Sequence, residues 1–348
     1  MTPDDGRKRI GFFTRILDPD EPRDRYRAAL DQIMLAEALG MSSAWVAQHH
    51  FDGDEGGLPS PFVFLAEAAA RTATIRLGTG IVTLALEQPL RVAEDAAVLD
   101  ILSGGRLELG FGTGGSPGSF AAFDLDPGKK GVVFARHLGR FLEAIDGQPI
   151  AGGARLYPAA PDLRRRIWQA TFSVEGAERA GRSGDGLMLS RTQPRPPGRA
   201  LTLSDLQNPM IEAYLGALPP GASPRILASR SIFVADDRRE AFRLAEIGID
   251  RFLHRLRAVG RPTPSGSLAE VIATLDMHVG TPDDVMRSLR AETALTHATE
   301  VAAQVHPADP PPALTLRSME LFATVVAPAL GWTTSSRPAT LTAVRQAG

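Results

Sequence analysis

Short apolar runs and amphipathic helical stretches alternate about eight times along this chain, and that order leaves few architectures open. Residues 9–14, Arg9-Ile10-Gly11-Phe12-Phe13-Thr14, are apolar between polar neighbours, as expected of a buried strand. Over 23–39, Tyr26, Leu30, Ile33, Met34 and Ala38 fall on one helical face, and Gly40 stands where a helix stop is expected. The same reading predicts strands at 43–47, 75–82, 106–112, 166–171, 185–189, 225–234 and 299–305. Between them, Ser60-Pro61 opens a helix with Phe62, Leu65, Ala66 and Ala69 on its inner stripe, and Leu90, Ala93, Ala97 and Ile101 mark another. Further helices are predicted over 173–182, 203–218, 236–259 and 314–330, and Ser103-Gly104-Gly105-Arg106 reads as a tight helix-to-strand turn. Strict β-then-α order implies parallel strands with helical crossovers, and a count near eight favours closure. The expected fold is therefore an α/β (β/α)8 TIM barrel, with residues 261–270 and a helix over 282–290 inserted before the last strand. One domain is expected over 1–332, with proline-rich loops at 193–198 and 306–313 and a flexible tail over 333–348.

Composition removes several classes of function. The absence of cysteine excludes disulfides, thiolate metal sites and a cysteine nucleophile. Charges nearly cancel, 38 Lys+Arg against 40 Asp+Glu, and aromatic residues are 6%, so no nucleic-acid partner is expected. No apolar stretch reaches the ~18 residues that a membrane helix needs. Residues 1–9 are polar and run directly into a strand, so no secretory signal is expected and the cytoplasm is the expected location.

In such a barrel, chemistry collects at the C-terminal ends of the strands. That rule selects Phe13-Thr14, Gln48-His49-His50-Phe51, Thr79-Gly80, Gly112 to Ser116, Thr171-Phe172-Ser173 and Ser190-Arg191. Gly110-Phe111-Gly112-Thr113-Gly114-Gly115 matches G-x-G-x-x-G, but Ser116-Pro117-Gly118-Ser119 reads as continued loop where a dinucleotide-binding helix should begin. These glycines read better as a strand end whose missing side chains let a flat ligand approach the backbone. Adjacent histidines at a strand end point in different directions, so His49 and His50 are not read as ligands of one metal ion, and no metal site is expected. His49 is read as a neutral hydrogen-bonding or proton-transfer group facing the pocket, and His50 as structural. Thr171-Phe172-Ser173 before a helix is either an ordinary N-cap or a phosphate site. Arg191 is either a surface arginine or the matching positive charge. Trp45 and Trp168 lie within strand patterns and read as core.

Several motifs occur in a telling order: Gln48-His49-His50-Phe51, Ser60-Pro61, Ala70-Arg71-Thr72, Ile75-Arg76-Leu77-Gly78-Thr79-Gly80, Pro89-Leu90-Arg91-Val92-Ala93-Glu94-Asp95, and Leu99-Asp100 with Ser103-Gly104-Gly105-Arg106. This array resembles the bacterial luciferase-like, flavin-dependent monooxygenases. The likeness is dense over 10–115 and looser over 168–190 and 235–245. The resemblance implies a (β/α)8 barrel, usually dimeric, holding reduced FMN or a deazaflavin at the strand ends. By the same resemblance, His49 matches the active-site histidine. Thr79 and Gly80 match the strand end that packs on the isoalloxazine ring, where relatives often have a non-proline cis peptide. Thr113 and Gly114 match the segment after the fourth strand, and Thr171, Phe172 and Ser173 the phosphate-side loop. Gln48 and Ser190 complete the expected cofactor-contacting set. Two departures stand out: relatives commonly have glutamate where Gln48 stands and often arginine where Thr113 stands. Arg191 is the expected substitute for that missing phosphate partner.

The implied function is an FMN-dependent monooxygenase. It would take reduced FMN from a partner flavin reductase and use molecular oxygen to oxidise a small organic substrate. A deazaflavin-dependent oxidoreductase on the same barrel, and a non-catalytic flavin-binding protein, are the alternatives. A homodimer through the helices near 62–71 and 89–102 is expected from the resemblance. The substrate is not readable from the loops around 116–123 and 191–199.

Overall fold

A computed structural model describes residues 7–17, 21–196, 199, 201–258 and 260–334. The polar start over 1–6, positions 197 and 198 of the proline-rich loop, position 259 and the expected tail from 335 onward lie outside the described residues. Nine strands alternate with helices: β1 Arg9–Thr14, α1 Pro22–Ala38, β2 Ser43–Val46, α2 Pro61–Arg71, β3 Arg76–Thr83, α3 Pro89–Leu102, β4 Leu107–Gly112, α4 Pro117–Ala122, α5 Lys130–Ile145, β5 Ile167–Ala170, α6 Val174–Arg182, β6 Gly186–Leu189, α7 Leu203–Ala217, β7 Ile226–Val234, α8 Arg238–Ala258, α9 Leu268–Thr274, β8 Met277–Gly280, α10 Pro282–Arg290, β9 Glu300–Gln304 and α11 Pro312–Leu321. All pairings are parallel. Strands β1 to β7 pair in sequence, β7 pairs β9, and β9 returns to β1, which closes an eight-stranded barrel with helices between the strands.

Three details go beyond the sequence expectation. The crossover from β4 to β5 is α5, whose Phe134, Leu138, Phe141 and Ile145 form its buried stripe, with Phe141 meeting Phe111 of β4 at 4.9 Å. The insertion before the last barrel strand contains a strand as well as helices. β8 pairs with the far half of β7, Ser231–Val234, and stands outside the closed barrel. A buried network ties it down: Glu292 accepts from Arg230 of β7 at 2.6 Å and pairs with His278 of β8 at 3.0 Å, and against the upward push of burial the Arg230 charge and these hydrogen bonds hold its carboxyl down to about 2. Finally, a short helix opens at Pro117, where the sequence reads as loop; proline fits a first helical turn because its φ is already helical and its missing N–H leaves no bond unmade.

The barrel interior is filled unevenly. Trp45 from β2 and Trp168 from β5 point inward and meet edge to face, centroids 5.6 Å apart at 84°, and both are almost completely buried. Their indole N–H groups are satisfied by two buried carboxylates: Trp168 donates to Glu108 at 2.7 Å and Trp45 to Glu300 at 3.2 Å. Glu108 also pairs with Arg76, and Glu300 accepts from the Ser43 hydroxyl. Room for the indoles comes from glycines at the paired positions of the neighbouring strands. A Cβ at Gly78 would lie 2.2 Å from Trp45, and one at Gly186 would lie 2.1 Å from Trp168. Neither rigid ring can yield that far, because each is locked by a hydrogen bond and by the other ring. Gly78→Ala and Gly186→Ala should each lower unfolding free energy by about 2–3 kcal/mol through overpacking. Urea denaturation checks this, and wild-type midpoints in both variants would contradict the description of the floor.

Candidate active site

Above the indole floor the inward positions become small. Gly80 of β3, Gly112 of β4 and Ala170 of β5 line the barrel at its C-terminal mouth, and Gly80, Ile81 and Ala170 are only half-buried. The β3–β4 register slips between Thr79 and Val82, so Gly80 and Ile81 occupy a bulge. The Gly80–Ile81 peptide is cis. Gly80 is pressed on Phe13, where a Cβ would come within 2.5 Å, and a Cβ at Gly112 would stand 3.1 Å from Ile81. The result is a shelf of backbone and small side chains, open to solvent and walled by Phe13, Met188 and Ile81. Thr79 itself is fully buried; its hydroxyl donates to the Gly110 carbonyl at 3.0 Å and accepts from the Gly110 N–H at 2.9 Å, pinning β3 to β4 under the shelf.

The polar rim stands mostly on β1, β2 and β9. Arg15, next after β1, donates to His49 Nε2 at 3.0 Å. A guanidinium has no acceptor, so Nε2 is the accepting nitrogen and the imidazole proton is assigned to Nδ1. Burial and the charge of Arg15 hold His49 well below its ordinary pKa, so the ring is neutral at pH 7. Its Nδ1 is buried without a hydrogen-bond partner and packs on Gly56, where a Cβ would approach to 2.2 Å. His306 is likewise held neutral, down to about 4 by burial, with Nδ1 on Asp309 at 2.6 Å and Nε2 unpartnered. Arg15 Nε and Gln304 Oε1 are also buried and unpaired. Buried polar atoms without partners are rare, and three around one mouth, on Arg15, Gln304 and His306, mark a place built for a polar-edged ligand.

The other expected positions fall as follows. Gln48 is committed internally: Oε1 accepts from the Thr83 N–H at 2.7 Å, while Nε2 donates to Glu87 at 2.7 Å and to the Pro59 carbonyl at 3.1 Å. A glutamate here would set two carboxylates against each other, so the amide matches Glu87. Gly114 has φ 73° and sits against Thr83, where a Cβ would come within 2.4 Å; Thr113 beside it is half-buried. Lys130, which sequence reading did not single out, donates to the Gly114 carbonyl at 3.2 Å and puts a cation beside the segment that lacks arginine at Thr113. Ser173 caps α6 by accepting from the Gly176 N–H at 3.1 Å, Thr171 accepts from the Ser173 N–H at 3.1 Å, and Phe172 is exposed. Ser190 accepts from the Thr192 N–H at 3.3 Å. Arg191 is not a surface residue: it is buried and reaches Ser231 of β7. His50 packs on Phe123 and Phe51 at the outer lip. Among the described residues no three His, Asp or Glu side chains are grouped to hold a metal ion. No helix among them is long and apolar enough to cross a membrane.

A shelf of this kind beneath a half-polar rim fits a flat ring with one apolar face and a hydrogen-bonding edge. The luciferase-like monooxygenase family matches residues 9–305. The chain belongs to that family. An uncharacterized protein y4vJ of Sinorhizobium fredii is 33% identical over 173 residues, 47% of this chain and 49% of that one, so the chain spans about half the length of this relative. The 4-hydroxyprotoasukamycin monooxygenase of Streptomyces nodosus subsp. asukaensis is 29% identical over 277 residues, 73% of each chain. The monooxygenase RslO1 from Streptomyces bottropensis superposes with a TM-score of 0.78 at 25% identity, over 92% of this chain and 99% of that one. The fold alone is shared with two more distant structures. One is the oxygenating constituent of 3,6-diketocamphane monooxygenase from Pseudomonas putida in complex with FMN, with a TM-score of 0.73 at 19% identity over 92% of this chain and 98% of that one. The other is the coenzyme F420 dependent tetrahydromethanopterin reductase from Methanopyrus kandleri, with a TM-score of 0.66 at 19% identity over 93% and 99%.

The Arg15–His49 contact makes a measurable prediction. Arg15→Leu removes a cation that opposes protonation, so the His49 pKa should move up toward 6.5 while remaining below it through burial. NMR titration of the His49 ring resonances reads this; a pKa that stays put or falls would contradict the assigned contact.

Proposed function

We propose that this chain is the oxygenase component of a two-component flavin-dependent monooxygenase, using reduced FMN delivered by a separate reductase to oxidise a small organic substrate in the cytoplasm. The observation that carries this reading is the Gly80–Ile81–Gly112–Ala170 shelf above the indole floor, whose small side chains let a flat ring lie against backbone. Bound there, reduced FMN would supply two electrons to oxygen, one oxygen atom passing to the substrate and the other leaving as water. The chain's own part is to hold the ring, keep water out and control protons. The apolar walls Phe13, Ile81 and Met188 exclude water around the ring. Lys130 and the capped start of α6 at Thr171-Phe172-Ser173 are the phosphate-side candidates, the former because an ammonium tolerates a second acceptor beside the Gly114 carbonyl. His49, neutral at pH 7, would offer Nε2 to a hydrogen bond or proton of the substrate when Arg15 releases it. One barrel over 1–332 carries both cofactor and substrate on this reading.

The F420-dependent neighbour keeps deazaflavin-dependent hydride transfer as a second reading, because a shelf of backbone accepts either tricyclic ring. Titration with FMN and with the deazaflavin, followed by absorbance, tests both. Gly112→Val fills the shelf, and FMN affinity should fall at least tenfold, about 1.4 kcal/mol. Undiminished binding would put the ring elsewhere. His49→Ala should abolish oxygen-dependent product formation while leaving FMN affinity within about twofold. Retained turnover would remove His49 from the mechanism, and no turnover of any substrate panel by the wild type would favour a non-catalytic flavin binder.

The same reading includes a homodimer. Val63 of α2 and Val98, Ile101 and Leu102 of α3 are exposed on the two helices expected to pair. Light scattering should give twice the 37.1 kDa chain mass, and Ile101→Asp should shift it toward monomer. A monomeric wild type would contradict this.

A further inference from the structure

Arg191 is 7% exposed, yet its only described contact is a 3.4 Å hydrogen bond to the neutral Ser231 hydroxyl. No carboxylate of the described residues lies within ion-pair distance of it. The acidic groups that act on it from further away are already claimed: Asp309 holds His306 at 2.6 Å, and Asp276 accepts two 2.7 Å bonds from Arg195. Arg15 is similarly under-compensated. Its Nε is buried without an acceptor, and Glu55 stands 3.9 Å away and is shared with Arg255 at 3.6 Å. The two guanidiniums repel each other, and burial pushes Arg191 down to about 9 and Arg15 to about 10. A buried cation left without a partner is strongly unfavourable. Planar guanidiniums with unspent N–H groups match an oxyanion better than any other ligand chemistry.

We propose that Arg191 and Arg15 together hold an oxyanion of a small molecule bound in the barrel mouth, the favoured source being a carboxylate on the substrate. The choice of source rests on the flavin reading above. The ring shelf lies on β3, β4 and β5 and the phosphate-side candidates on α5 and α6, whereas Arg191 follows β6 and points to Ser231 of β7, and Arg15 follows β1. An anion between Arg191 and Arg15 therefore belongs to the molecule facing the ring. The flavin's own phosphate is the other possible source of the same chemistry. An anion taken up by Arg15 would also compete for the donor that now covers His49 Nε2, coupling anion binding to exposure of that nitrogen.

Isothermal titration of the full chain with benzoate, inorganic phosphate, FMN and riboflavin tests this in the wild type, Arg191→Met, Arg191→Lys and Arg15→Met. Benzoate should bind the wild type with or without FMN, at least tenfold more weakly in both methionine variants and by an intermediate factor in Arg191→Lys, while FMN and riboflavin affinities stay within twofold. If FMN instead blocks benzoate, and Arg191→Met weakens FMN tenfold but not riboflavin, the oxyanion site stands with the phosphate as its source. Absence of saturable binding of benzoate and phosphate to the wild type, or equal binding in Arg191→Met, overturns the proposal. Without added anion, Arg191→Met should melt no lower than the wild type, since it removes an unpaired buried charge, and benzoate should raise only the wild-type Tm. A variant that melts lower whether or not benzoate is present would show a purely structural arginine and overturn the proposal as well. Benzoate binding that depends on Arg191 in a protein that binds no flavin would reject the flavin reading alone.

Discussion

Trp45 and Trp168 meet edge to face inside the barrel, and the rest of the interior is arranged around that contact. Two indoles are too large for an eight-stranded barrel lined by ordinary side chains, so Gly78 and Gly186 give up theirs. Each indole carries one N–H that must be satisfied in a dry interior, which brings Glu108 and Glu300 inside. The carboxylates in turn need donors, and Arg76 and the Ser43 hydroxyl supply them. A bulky pair at one level thus fixes the identity of residues on several strands and seals the lower half of the barrel.

The upper half follows the opposite rule. Gly80, Gly112 and Ala170 withhold side chains where the lower half crowds them in, and the bulge at Gly80 and Ile81 turns backbone toward the axis. A folded barrel fills its interior with side chains; glycine and alanine at the mouth above a filled floor suit a ligand that packs on backbone. Around that mouth lie two neutral histidines, His306 buried and His49 half-buried, and two guanidiniums with incomplete ion pairing. Such groups cost stability while unpartnered and become favourable once a ligand supplies their partners. Small apolar positions on one side and unspent donors on the other divide the mouth into a face for a ring and a face for the molecule it acts on.

The eight barrel strands were legible because parallel strands covered on both faces leave continuous apolar runs. β8 was not: in Met277-His278-Val279-Gly280 a histidine and a glycine interrupt the apolar run, and its pairing with β7 depends on a network whose members lie 62 and 14 residues from one another in sequence. The stripe of α5 is visible at helical spacing, but the glycine- and proline-rich stretch before it masks the start. Within the site, the glycines of β3 and β4 could be read as close approaches, and His49 as a neutral group, from residue type and position alone. The role of Gln48 could not, since its partner Glu87 is 39 residues away. Arg15 and Lys130 were invisible for the same reason: a charged residue beside a strand or at a helix start looks like surface until the fold turns it inward. Arg191 was read as either a surface residue or a phosphate partner, and only the burial around Ser231 separates it from the surface.

The site depends on a ring resting on backbone at the top of β3, β4 and β5. A crystal structure of the protein soaked with FMN tests this most directly. Density for the isoalloxazine is expected against Gly80, Ile81, Gly112 and Ala170, directly above Trp45 and Trp168. Density on the outer helices, or a mouth filled by water while FMN saturates the protein in solution, would contradict it.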